Sequence, residues 1–194
     1  MKRIPLDYFL HSDVLYLSRD LLGKTLMTRI NGTLTGGIIT ETEAYRGPED
    51  KASHAYNGRR TPRNESMYAR GGTCYVFRCY GIHNLFNIVT NQKEIPHAIL
   101  IRAIQPVVGM ETMLQRRGKN AVTPTLTAGP GSLAKALGIE RDHDGISLAG
   151  KTIWIEDHGH QLRPEEIIQT PRIGIDYAAE HALLPWRFYL KKTY

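Results

Sequence analysis

The sequence predicts an α+β fold: a single domain with a mainly antiparallel curved sheet, flanking helices and a protruding β-hairpin. Three observations predict it. Stretches with strand character outnumber helical ones. Neighbouring strands are joined as hairpins, with Asn31-Gly32 and Gly81 supplying the turns. The chain has 194 residues, 41% of them hydrophobic, with no internal repeat and no low-complexity tract, which suits one domain with a sizeable core.

Each element has a local reason. Ser12 or Asp13 can cap a helix over 14–22, which Gly23 stops. Residues 24–30 read as a strand, Asn31-Gly32 as its turn, and 33–45 as the return strand. Alternation along that strand places Ile39, Glu41, Glu43 and Tyr45 on one face, and Ile38, Thr40, Thr42 and Ala44 on the other. Two carboxylates between an aliphatic and an aromatic side chain fit either a pocket wall or a solvated acidic edge.

Residues 46–72 form a long polar connection that carries Gly47-Pro48 and Asn57-Gly58-Arg59-Arg60-Thr61-Pro62-Arg63-Asn64. Its Tyr, Met and Arg content predicts order against a partner. Strands at 73–80 and 85–90 make a second hairpin. Tyr75 and Phe77 share a face, while Tyr80 and Ile82 stand at the tip. A tip tyrosine either staples back onto the sheet or probes a partner, and pattern alone favours the staple. Strand 97–104 is apolar except for Arg102, which requires a carboxylate or a ligand phosphate, and Pro106 is expected to end it. Residues 109–117 read as a helix closed by Gly118. Gly129-Pro130-Gly131-Ser132 opens another that runs through Leu137, with free N–H groups suited to phosphate. Asp144-Gly145 is a turn, and 152–156, 167–175 and 187–190 read as strands.

The net charge of +6 suits a polyanionic partner. Arg59, Arg60, Arg63 and Arg70 lie in the long connection, and Arg116, Arg117 and Lys119 close a helix, where phosphate contacts are usually made. Cys74 and Cys79 would face opposite sides of one strand, so no disulfide is expected, and no zinc spacing is present. No apolar run is long enough for a membrane span, and the N-terminus lacks the apolar core of a signal peptide. A soluble, cytoplasmic protein without cofactor or metal is expected.

Several segments together resemble the alkyladenine (3-methyladenine/methylpurine) DNA glycosylase family. They are Glu41-Thr42-Glu43-Ala44-Tyr45, Gly47-Pro48-Glu49-Asp50 with Ala52 and His54, Thr61-Pro62-Arg63-Asn64, Tyr75-Val76, Tyr80-Gly81, Asn87-Ile88, Leu100 with Arg102-Ala103, Glu111-Thr112-Met113, Gly129-Pro130 and Arg187-Phe188-Tyr189. They run in order over nearly the whole chain. The resemblance implies a minimal bacterial-type, monofunctional enzyme. Such an enzyme flips alkylated or deaminated purines (3-methyladenine, 7-methylguanine, hypoxanthine, ethenoadenine) from double-stranded DNA, and it cuts the N-glycosidic bond with water as a monomer. It further implies that Glu43 is the general base and that Arg102 lies near the catalytic water and the phosphate. Tyr45 and His54 wall the base pocket, Phe77 stacks opposite where other members carry Tyr, and Asn87 screens guanine-type amino groups. Tyr80 fills the gap in the duplex; apart from the resemblance, the clustering of charge makes Arg59 and Arg63 the expected DNA-backbone contacts. Glu41 is expected to act structurally. An electron-rich aromatic sandwich is expected to favour cationic alkylpurines. Two rival readings are a metal-dependent nuclease using Glu41, Glu43, Glu49 and Asp50, and a catalytically silent nucleic-acid-binding module.

Overall fold

The computed structural model describes residues 2–191. After the short strand β1 (Lys2–Arg3), α1 (Val14–Asp20) is capped by Asp13, whose Oδ1 accepts the N–H groups of Leu15 and Tyr16 at 2.8 and 3.1 Å. β2 (Thr25–Ile30) and β3 (Thr33–Arg46) form the first hairpin, and β4 (Cys74–Cys79) and β5 (His83–Thr90) the second. β6 (His97–Val108) leads to α2 (Met110–Arg117) and α3 (Pro130–Leu137). β7 (Ile153–Asp157), β8 (Ile167–Thr170) and β9 (Arg187–Leu190) complete the chain.

The strands join one antiparallel sheet in the order β1-β7-β2-β3-β6-β5-β4. β9 takes over the β3 edge beyond the point where β2 leaves it at Ile38, pairing with Glu41 to Glu43, and β8 pairs with β9. The α+β class and the antiparallel hairpin architecture hold. Several boundaries differ from expectation, among them the start of β5, at His83 rather than Leu85. The first helix stops at Asp20, and the strand expected over 167–175 ends at Thr170. Pro106 does not end β6: it pairs with Gly37 at a register shift, where a residue without an N–H is tolerated.

The two faces of the sheet have different tasks. On one face, Leu17 and Leu21 of the first helix segment and Leu133 and Leu137 of α3 pack with Phe86, Ile88, Ile99 and Ile101 in the main core. The other face carries Tyr45, Tyr75, Phe77, Asn87, Ala98 and Leu100 towards a cleft. The long connection is ordered by packing on this second face. Met67 and Tyr68 pack with Tyr75, Val89 and Ala98, and Met67 also lines the cleft.

The β3–β6 pairing is interrupted where it matters. Ile39 pairs with Ile104, Glu41 with Ala103 and Thr42 with Ile101, which leaves Thr40 and Arg102 as bulged residues. Plain alternation is therefore broken. Ile39 belongs to the helix-side core with Ala44 and does not share a face with Glu43. The bulge separates residues 33–39 from the half of β3 that carries Glu41, Glu43 and Tyr45.

Candidate active site

Four adjacent strands build one cross-strand row: Glu43 pairs with Leu100, Leu100 with Asn87, and Asn87 with Tyr75. Together with Tyr45 and Phe77 this row underlies a cleft of about 610 Å³. Tyr45 from β3 and Phe77 from β4 both line it, and Asn87, Ala98 and Leu100 supply the strands between them.

Glu43 is fully buried behind this cleft. Its Oε2 accepts the Tyr45 hydroxyl at 2.9 Å, and its Oε1 accepts the Ile173 N–H at 2.8 Å. Arg102 Nη1 lies 3.3 Å from the same Oε1. Burial, followed by the Glu43 carboxylate, drives the Tyr45 pKa well above its ordinary value, so the hydroxyl remains a donor. Arg102 is also the partner of Glu41, with Nε to Oε1 at 2.8 Å, and Arg187 Nε meets that same Oε1 at 2.6 Å. Burial disfavours the Arg102 cation, but Glu43 and Glu41 outweigh it and raise its pKa. The partner that Arg102 requires is thus a pair of carboxylates. Glu41 is held in an ion pair and serves to aim Arg102.

His54 reaches the cleft from the long connection. Its Nδ1 lies 2.7 Å from the Tyr75 hydroxyl, and its ring meets that of Phe77 edge-on with centroids 4.6 Å apart. Burial, then Arg63 and Arg59, lowers its pKa to about 4. The hydroxyl that holds His54 comes from Tyr75, one pleat away from Phe77. Asn64 fixes the loop by donating to the carbonyls of His54 and Arg59 at 3.0 and 2.8 Å. Asn87 is buried in the floor and donates to the Tyr75 carbonyl at 3.1 Å.

At the hairpin tip, Tyr80 is 89% exposed with φ +48°, and Gly81 follows at +72°. Ile82 N–H closes the turn onto the Cys79 carbonyl at 3.1 Å. The tyrosine does not staple back onto the sheet. Arg63 stands over Phe77 at 5.6 Å and donates to the Arg78 carbonyl, while Arg59 is exposed. Four other arginines of the two clusters are engaged internally. Arg60 binds Glu65 and Glu94, Arg70 binds Asp7, Arg116 donates to Ala136, and Arg117 donates to Leu126 and Ser132. The opening of α3 also lines the cleft, but Gly131 there allows close packing: a Cβ would lie 2.9 Å from the His83 ring.

Sequence reasoning missed residues 172 and 173. Arg172 is buried and binds Asp50 through two nitrogens, at 2.5 and 2.8 Å, and Ile173 supplies the N–H to Glu43. Both act over more than a hundred positions, and no local pattern marks them. The acidic residues do not converge as a metal site would require. Glu41 is held by Arg102 and Arg187, Asp50 by Arg172, and Glu49 lies 3.4 Å from Arg46. No group of three metal-ligating side chains occurs among the described residues.

Comparison with known proteins agrees with this arrangement. The family model described as methylpurine-DNA glycosylase matches residues 8–194. The chain belongs to the methylpurine-DNA glycosylase family. Relatives in this family include a protein of Chlamydia felis that is 52% identical over 188 residues, covering 96% of this chain and 95% of its own. One from Desulfitobacterium hafniense is 43% identical over 200 residues, covering 100% and 97%. One from Bacillus cytotoxicus is 43% identical over 193 residues, covering 95% of each. All three are provisionally named 3-methyladenine DNA glycosylases. Family membership removes the metal-dependent nuclease as a competing class. No helix among the described residues is long and apolar enough to cross a membrane.

Proposed function

We propose that this protein is a monofunctional DNA glycosylase that flips damaged purines out of duplex DNA and hydrolyses their N-glycosidic bond. The observation that carries the reading is the buried Glu43 carboxylate behind an aromatic cleft, next to a tip tyrosine thrust into solvent. A flipped purine would stack between Tyr45 and Phe77, with His54 and Asn87 at its edges. Stacking on an aromatic ring contributes about 1–3 kcal/mol per base. Tyr80 would fill the space that the nucleotide leaves.

Glu43 is sealed from bulk solvent, so it acts on a water brought to it with the sugar. It takes the proton of that water as general base, and its charge stabilises the oxocarbenium-like state. Arg102, aimed by Glu41, faces the same carboxylate and the phosphate of the flipped nucleotide. A lyase step would need an uncharged amine. Lys51 binds Glu180 at 2.6 Å, which raises its pKa and keeps it protonated. 3-Methyladenine, 7-methylguanine, hypoxanthine and ethenoadenine are the expected substrates, and Arg59 and Arg63 the expected phosphate contacts.

The test is Glu43→Gln on duplexes that carry one lesion. Release of base in a single turnover should fall by about a hundredfold or more, while affinity for the lesion duplex is kept. Wild-type rates of release from the variant would refute the assignment.

A further inference from the structure

Arg172 is a cation in an unusual place. Its side chain has no exposure, and Nη1 and Nη2 bind the equally buried Asp50 carboxylate. Nη1 also donates to the Ala44 carbonyl at 2.8 Å. The guanidinium lies between two rings, 4.8 Å from the centroid of Tyr45 and 5.0 Å from that of Trp186. Tyr45 lines the cleft and Arg172 does not, so the cation sits on the side of the ring turned away from the cleft. The next residue, Ile173, donates its N–H to Glu43. Residues 172 and 173 thus grip Glu43, Ala44 and Tyr45 in succession.

We propose that Arg172, backed by Asp50, is a positioning and specificity-determining residue: it fixes Tyr45 from behind and holds positive charge against the ring, which reduces the preference of the pocket for cationic over neutral purines. The inference rests on the base-excision reading above. The physical reason is the ring quadrupole. A cation on one face of an aromatic ring draws on the same electron density that a second cation would need on the other face, and the two cations repel. The Asp50 carboxylate binds the edge of the guanidinium through Nη1 and Nη2 and leaves the Cζ 4.8 Å from the Tyr45 centroid, so it screens the cation from the ring only in part. The sandwich is therefore not the electron-rich trap for alkylated cations that its ring content alone suggests. A neutral lesion such as hypoxanthine stacks on Tyr45 without that penalty.

The experiment compares single-turnover release from two duplexes, one with a single 7-methylguanine, which is cationic, and one with a single hypoxanthine, which is neutral. The readout is the ratio of the two rates, taken on variants shown to fold by a cooperative thermal melt. Replacing the pair by a neutral one, Asp50→Asn with Arg172→Gln, should raise the ratio of cationic to neutral release by about three- to tenfold. Arg172→Gln alone leaves the Asp50 anion behind Tyr45 and should raise it further. Arg172→Lys keeps the ion pair but takes the flat cation off the ring. It should slow both lesions and raise the ratio by a smaller step of at least twofold. A purely structural role would lower both rates by one factor and leave the ratio unmoved. A folded Arg172→Lys protein with a ratio within twofold of wild type overturns the proposal, whether or not the other variants fold. So does a wild-type protein that releases only the cationic base. If the wild-type protein releases neither base, it is the base-excision reading that has failed.

Discussion

His54 shows how much a single side chain can reveal about its surroundings. Its folded pKa is about 4 against an ordinary 6.5, because burial and two nearby arginines oppose its charge. Between those values the unfolded chain binds more protons than the folded one, so stability rises with pH across that window. The contribution is fully present above about pH 6.5 and is lost as pH falls towards 4, amounting to up to about 3 kcal/mol. Urea melts at pH 7 and pH 4.5 should show it: the wild type should lose about 2 kcal/mol more than His54→Gln over that interval. Equal losses in the two proteins would mean that His54 is not the group responsible. At neutral pH the ring is uncharged and holds the Tyr75 hydroxyl, which is the state suited to meeting a base edge. The residue types of this candidate site were legible in the sequence, and the family resemblance ranked Glu43 above Glu41, but the physical ground of that ranking was not legible. Alternation makes Glu41 and Glu43 equals. What separates them is Arg102 and Arg187, which arrive from 61 and 146 positions away to occupy Glu41. Ion pairs that close over such distances leave no trace in local spacing.

At the scale of an element, the β4–β5 hairpin trades stability for reach. A non-glycine residue in the left-handed region costs roughly 1–2 kcal/mol. Tyr80 adopts that conformation with its ring in solvent, so nothing in the fold compensates it. Tyr80→Asn suits the same backbone and should stabilise the protein by about 0.5–1 kcal/mol in thermal or urea melts. The same change should weaken binding to a lesion duplex more than binding to the matching single strand, because only a duplex leaves a gap to fill. Fluorescence anisotropy on the two ligands would decide it, and equal losses would sink the wedge role. Elements fixed by local chemistry were legible. Asp13 caps its helix, Asn31-Gly32 turns its hairpin, and Gly118 ends its helix with φ +62°. Elements fixed by pairing were not. The paired bulges at Thr40 and Arg102 arise only when β3 meets β6, and they decide which half of β3 faces the cleft. Pro106 sits inside β6 because Gly37 opposite it allows a register shift, which a reading of β6 alone cannot contain.

At the scale of the whole molecule, the count of 25 Lys and Arg overstates the surface offered to DNA. Much of the cationic charge is consumed within the fold. Arg172 is buried on Asp50, Arg102 and Arg187 converge on Glu41, Arg60 is matched by Glu65 and Glu94, and Arg117 ties Leu126 and Ser132 together. Arg59 and Arg63 differ. Both are exposed, neither has a carboxylate partner among the described residues, and Arg63 stands at the cleft mouth. Each phosphate that a cation neutralises releases counterions, so the slope of log Kobs against log salt concentration changes by about 0.9 per contact. Arg59→Ala and Arg63→Ala should therefore each flatten that slope by about 1 and weaken specific and non-specific duplexes by similar factors. Arg117→Ala removes the same formal charge but should leave the slope within about 0.3 of wild type. Its effect should appear instead as a loss of about 1–3 kcal/mol in unfolding stability, since the Leu126 carbonyl and Ser132 hydroxyl lose their donor. Anisotropy titrations at several salt concentrations, paired with urea melts of the same variants, separate the two classes. A slope that falls equally for all three would show that DNA senses only the net charge, and that the internal pairing of arginines does not select which of them meet phosphate.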